Sequence, residues 1–237
     1  MKAGTMKQLM LYVILFIFIG MNVTNAQNPS DKNKRDYPVG NFDKIYLEGN
    51  YRVYLYESEK PFLKVEAPSD DMYDAIKVDS DAGALKLSVT KKRMYLNRVE
   101  LHIGFPDLKE LEVSGDIKLT TDGYIDVTHL AVLLEGAANV DMSLKAENIR
   151  VTCEGGVILE LRGVADNLEV KVSGAGHVNA RELTTKEVTF RVEGVGFGSV
   201  YAVNLLDVRI DGVGKVTYKG DPEIKRIIAG LGKVEQY

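Results

Sequence analysis

Six stretches of this chain, Leu111–Gly115, Val132–Gly136, Val151–Gly155, Val170–Gly174, Phe190–Gly194 and Val208–Gly212, share one pattern: apolar residues at the first and third positions, then a closing glycine. A seventh, degenerate copy closes at Gly230, and the glycines follow one another at intervals of 21, 19, 19, 20, 18 and 18 residues. A fixed period of this length is the mark of a repeat architecture. After each glycine the alternation resumes, as in Gly212-Val-Gly-Lys-Val216-Thr-Tyr218. The unit reads as strand, glycine corner, strand, return.

The columns of the repeat separate an inside from an outside. Two residues before the glycine stand Val113, Leu134, Cys153, Val172, Val192, Ile210 and Ile228; four after it stand Leu119, Val140, Leu159, Val178, Gly198, Val216 and Val234. These columns face a core. One before it stand Ser114, Glu135, Glu154, Ser173, Glu193, Asp211 and Ala229, the opposite face of a pleated strand. Lys171, Arg191 and Arg209 lie three before and Glu169 and Asp207 five before, so the outer face alternates in sign and reads as a solvated ion-pair lattice.

The period is too short for a crossover helix, and no 3.6-residue periodicity fills the gaps. Stacked coils fit, each strand pairing in parallel with its copy about 4.8 Å away. Sixteen of the 22 glycines follow Leu111, where corners with positive φ are expected, and no proline falls between Pro106 and Pro222 to interrupt the ladder. The predicted fold is all-β: a right-handed parallel β-helix, or β-solenoid, with coils of about 18–22 residues, the hand following the general preference of β crossovers. Around Gly49 the apolar columns hold Ile45, Leu47, Val53 and Leu55, and after Gly83 come Leu85, Leu87 and Val89. Gly49 and Gly115 are 66 residues apart, three units of 22, which favours one β-helical domain over 37–237, less regular in 37–107 and regular in 108–237. The rival is a separate small β-domain ending at Pro106.

Four segments, Phe42–Leu55, Leu85–Val89, Ile103–Ile117 and Val172–Val178, together resemble the family called "putative auto-transporter adhesin, head GIN domain". The resemblance covers nearly all of residues 37–237. It implies a β-helical envelope or surface protein of Bacteroides-like bacteria with an adhesive role. It supplies no catalytic or ligand residues.

Export is read from the first segment. Lys2 and Lys7 precede the uncharged run Leu9–Ile19, and Thr24-Asn25-Ala26 offers small residues for a signal peptidase, so 1–26 is expected to be a signal peptide. Eleven apolar residues are too few to span a bilayer, which takes about 20, and no transmembrane anchor is expected in the mature chain. Residues 27–36, with five charges, read as a flexible leader. Removing 1–26 takes two lysines and moves the formal net charge from −4 to −6, which excludes nucleic acid as a partner. The single cysteine, Cys153, permits no internal disulfide.

Chemical motifs are weak. Gly174-Ala-Gly176, Gly194-Val-Gly196, Gly212-Val-Gly214 and Gly230-Leu-Gly232 lack the rest of a phosphate loop and read as corners. His102, His129 and His177 sit in no metal or catalytic pattern, so no catalytic residue, cofactor or metal is expected. Tyr54 and Tyr56 share one side of a strand and are expected to be covered by a neighbouring segment. The reading is a non-catalytic exported binding or structural module for an extracellular or envelope protein or a glycan, with self-association among its options. The alternative is a carbohydrate-active β-helix enzyme, a lyase or hydrolase. The candidate partner-binding residues are Ile158, His177, Phe197 and Lys215, in the column three after the glycine, where Ile158 and Phe197 break an otherwise polar series. At about 5 Å per rung they would form a strip about 15 Å long.

Overall fold

The glycine-terminated repeats stack as parallel rungs of a β-solenoid of about five turns, and the described residues are 78% strand. The computed structural model describes residues 33–90 and 98–237. The expected signal peptide, 1–26, and residues 27–32 of the expected leader lie outside them. The elements are β1 (Lys34–Tyr37), β2 (Lys44–Glu57), β3 (Phe62–Glu66), α1 (Asp70–Tyr73), β4 (Ile76–Asp81), β5 (Ala84–Val89) and β6 (Glu100–Phe105). There follow β7 (Glu110–Cys153), β8 (Gly156–Val172), β9 (Ala175–Val192), β10 (Val195–Ile210), β11 (Val213–Lys219), β12 (Glu223–Ile228) and β13 (Leu231–Gln236).

Register confirms the columns. Cys153 pairs with Val172, Val172 with Val192, Val192 with Ile210 and Ile210 with Ile228, all in parallel. Identical columns therefore form continuous apolar ladders, and each side chain packs on its own copy one rung away. The first six members of this column are fully buried, whereas Ile228 is 40% exposed. Unequal coil lengths are absorbed at bulges: between β9 and β10 the register shifts at Val200/Tyr201 and again at Ala202/Leu205.

The corner glycines form a ladder for a reason the sequence reading did not anticipate. Among them only Gly49, Gly115 and Gly136 have positive φ. At Gly155, Gly174, Gly194, Gly212 and Gly230 the demand is steric, because a Cβ would stand between 2.0 and 2.5 Å from the carbonyl oxygen of the corner glycine on the preceding rung. Backbones touch there. A second adjustment is made inside the core, where Gly198 interrupts the apolar column and leaves space for the buried ring of Phe190, 2.6 Å from where its Cβ would be.

The N-terminal region departs from simple succession. Gly49 lies directly beside Gly115, and β2 pairs with β7 from Lys44↔Glu110 to Leu55↔Thr121, so the 66-residue separation of those glycines does not span three stacked coils. On its other side β2 pairs in parallel with β5, Ile45↔Leu85 and Leu47↔Leu87, and with β6, Val53↔Leu101 and Leu55↔Ile103. Beyond these the pairing turns antiparallel: β4 on β5, β3 on β6 and β1 on β3. β1 begins at Lys34, so Lys34, Arg35 and Asp36, expected in the flexible leader, form a paired strand. No helix among the described residues is long and apolar enough to cross a membrane.

Candidate binding face

The four candidate residues are brought into one ladder by the stacking. Asn139 pairs with Ile158, Ile158 with His177, His177 with Phe197, Phe197 with Lys215 and Lys215 with Lys233. Every member of that ladder is exposed, Ile158 and Phe197 at 50% and 48% despite their size. Inward neighbours on the same strands, Leu159, Val178 and Val216, are fully buried, so the alternation of the pleat holds through the strip. Lys215 and Lys233 both pair with Glu235, which closes the strip at one end with charge. These bonds hold the Glu235 carboxyl below the usual carboxylate range.

Beside this ladder runs another that the sequence reading missed. One residue after each corner glycine from Gly136 onward stand Ala137, Gly156, Ala175, Val195, Val213 and Leu231, in register from rung to rung. The column changes from small to large, and Val195, Val213 and Leu231 are exposed, Leu231 by 75%. Together with Phe197 they carry apolar surface toward the last coil, beside Lys215 and Lys233. The signal was present in the Gly-Val-Gly and Gly-Leu-Gly triplets, whose middle residues point to solvent.

The other histidines lie elsewhere. His129 Nδ1 is 2.9 Å from Asn148 Nδ2, and Asn167 Nδ2 donates to Asn148 Oδ1 at 2.9 Å, an amide ladder along one corner. It lines an open cleft of about 510 Å³ with Leu130, Ile149, Arg150, Glu169 and Glu187. Glu187 occupies the next rung of that column. His102 stacks on Tyr54, with ring centroids 5.0 Å apart, and meets Tyr56 Oη through Nδ1 at 2.8 Å, so the tyrosine pair is partly covered by a neighbouring strand. The outer lattice is present at Arg150–Glu169, Lys171–Glu193 and Arg209–Asp211.

The family model described as "Putative auto-transporter adhesin, head GIN domain" matches residues 41–222. The chain belongs to that family. Among solved structures it is similar to a "putative adhesin" from Bacteroides fragilis NCTC 9343, with a TM-score of 0.82 and 26% identity over 86% of this chain and 96% of that one. It also shares its fold with a "putative lipid binding protein" from Parabacteroides distasonis ATCC 8503, at TM-score 0.66 and 23% identity over 86% and 96% of the two chains. A "putative adhesin" from Parabacteroides merdae ATCC 43184 has the same fold, at TM-score 0.62 and 16% identity over 86% and 95%. No curated protein matches the chain. In this head GIN domain the exposed apolar ladder rests on rungs whose inward-facing side chains are buried in the core. Preformed faces of this kind lose little conformational freedom on binding.

Proposed function

We propose that this head GIN domain is a non-catalytic, exported, adhesin-like module that docks an envelope or extracellular protein on the face formed by Ile158, Phe197, Val195 and Val213. The observation that carries the reading is the in-register row of exposed apolar residues on a rigid stack, because large side chains in water at successive rungs are disfavoured unless something covers them. His177, between Ile158 and Phe197 in the same row, and Lys215 at its end supply polar contacts. Membership of a family named for adhesins supports a surface or envelope role.

Ile158→Ser combined with Phe197→Ser tests it. The stack is expected to fold as the parent does, since both side chains lie outside the core. Binding to an array of immobilised extracellular proteins is expected to weaken by about tenfold or more, the loss of two anchor residues. Unchanged binding in the well-folded double variant removes this face. Capture of glycans that survives the double variant transfers the site to the amide-lined cleft at His129, Asn148 and Asn167, and loss of self-association alone makes the partner a second copy. No turnover of polysaccharides is expected, with or without calcium. Turnover abolished by one carboxylate substitution restores the carbohydrate-active alternative.

A further inference from the structure

At the N-terminal end of the stack, one row of outward residues crosses five strands as Lys34, Glu66, Glu100, Arg52 and Lys118. Glu66 and Glu100 are direct partners in the antiparallel β3–β6 pair. Like charges placed opposite one another destabilise a sheet unless a cation joins them. Two residues after Glu100, on the same face of β6, stands His102, and ligand atoms of the three side chains all lie within 4.8 Å of one another.

The imidazole is held in an unusual way. Its Nδ1 meets Tyr56 Oη at 2.8 Å and its ring stacks on Tyr54 at an interplanar angle of 14°. Its Nε2 is shielded from solvent and has no hydrogen-bond partner among the described residues. Glu66 Oε1 stands 3.3 Å away but out of line for a hydrogen bond. One ring nitrogen is thus fixed by a phenol while the other is left facing a carboxylate pair.

We propose that Glu66, Glu100 and His102 form a zinc site that clasps β3 to β6. Two carboxylates balance the charge of a divalent ion, and a mixed imidazole and carboxylate set suits zinc better than calcium, which takes oxygen ligands alone. The 3.3 Å between His102 Nε2 and Glu66 Oε1 matches the edge of a tetrahedron with metal bonds of about 2.0–2.1 Å, an edge of about 3.4 Å. With zinc on Nε2 the ring proton sits on Nδ1 and is donated to Tyr56 Oη, the outer hydrogen bond that orients most metal-binding histidines. Lys34, 2.6 Å from Glu66, and Arg52, 3.4 Å from Glu100, are the cations the metal competes with. Both have side chains exposed enough to turn toward water, and each carboxylate has a second oxygen to offer.

Isothermal titration of the purified chain with zinc chloride tests the site, with calcium chloride in a parallel titration. One zinc per chain is expected, with a rise in melting temperature. Tyr56→Phe is expected to weaken zinc by about 10- to 100-fold as an outer-partner loss, with larger losses for Glu100→Gln and His102→Phe. His102→Phe keeps a ring to stack on Tyr54, and Glu100→Gln keeps the side chain's shape; circular dichroism establishes that each is folded. His129→Ala with His177→Ala is expected to bind zinc as the parent does. Absence of zinc binding, unchanged affinity in folded His102→Phe or Glu100→Gln, loss in the His129/His177 variant, or preference for calcium each overturns the proposal.

Discussion

The two ends of the solenoid solve the same problem differently. A stack of parallel rungs leaves an apolar layer and a row of backbone donors and acceptors at each end. At the N-terminal end, β5 and β6 lie over β2, with β4 and β3 added in antiparallel fashion, and Ile45, Leu85, Leu101, Ile103 and Val65 are all fully buried. At the other end β12 and β13 form the last rung, and Ile224, Ile227 and Ile228 are exposed. Arg226 pairs with Val208, so a charged residue takes a core column on that rung. A column position alone does not bury a side chain; a further layer does.

Val172 and Ile228 occupy the same column in the middle and at the end, which makes the contrast measurable. Val172→Asp is expected to cost more than about 4 kcal/mol and to unfold the stack, because an unpaired carboxylate is placed between rungs with no water to reach. Ile228→Asp is expected to stay within about 1 kcal/mol of the parent. Urea denaturation of the two variants checks both. Similar losses in the two would mean that the last rung is covered in solution.

The corner glycines sharpen the comparison between close approach and backbone freedom. Gly212→Ala puts a methyl group 2.0 Å from Gly194 O, where the neighbouring rung is backbone and cannot turn aside. A loss of about 2–3 kcal/mol is expected, as for an overpacked core. Gly123 has φ +80° and nothing within 4 Å of its Cβ position, so Gly123→Ala is expected to cost about 1–2 kcal/mol, the strain of a left-handed conformation alone. Equal losses would show that contact between rungs is not what selects glycine at the corner.

What could be read in advance follows from pairing geometry. From Leu111 onward the strands leading into each glycine corner lie in register on their copies, so Val172, Val192 and Ile210 must be alike and the columns are visible in the sequence. At the N-terminal end Glu66 and Glu100 meet across an antiparallel pair, which imposes no spacing that recurs, and β2 sits between strands that follow it in the chain. That order cannot be inferred from glycine intervals. The same holds for sites. Ile158 and Phe197 stood out as apolar breaks in a polar column, whereas Val195 and Val213 were hidden by reading Gly-Val-Gly only as a corner. His102 gains its carboxylate neighbours through strand register, one of them 36 residues away.

The effect that is smallest at neutral pH compares two thiols in one column. Cys153 is fully buried, and burial pushes its thiol up to about 12 from an ordinary 9.0. The charged form is therefore disfavoured in the folded chain, and the thiolate is the reactive species. Stability from this group is complete below pH 9 and is lost as pH rises from about 9 toward about 12, at a slope of up to about 1.4 kcal/mol per pH unit. Cys153→Val is expected to remove that component of the alkaline slope, which separates it from the slope of Tyr51, also raised by burial. Placing Ile228→Cys in that background moves the thiol four rungs along the same column to the exposed end. Maleimide labelling at pH 8 is expected to be fast at residue 228, and at Cys153 in the parent it is expected to track global opening, accelerating with urea as the unfolded fraction does. Rapid labelling of Cys153 in native protein would place it outside the ladder and undo the inside–outside assignment for the whole repeat.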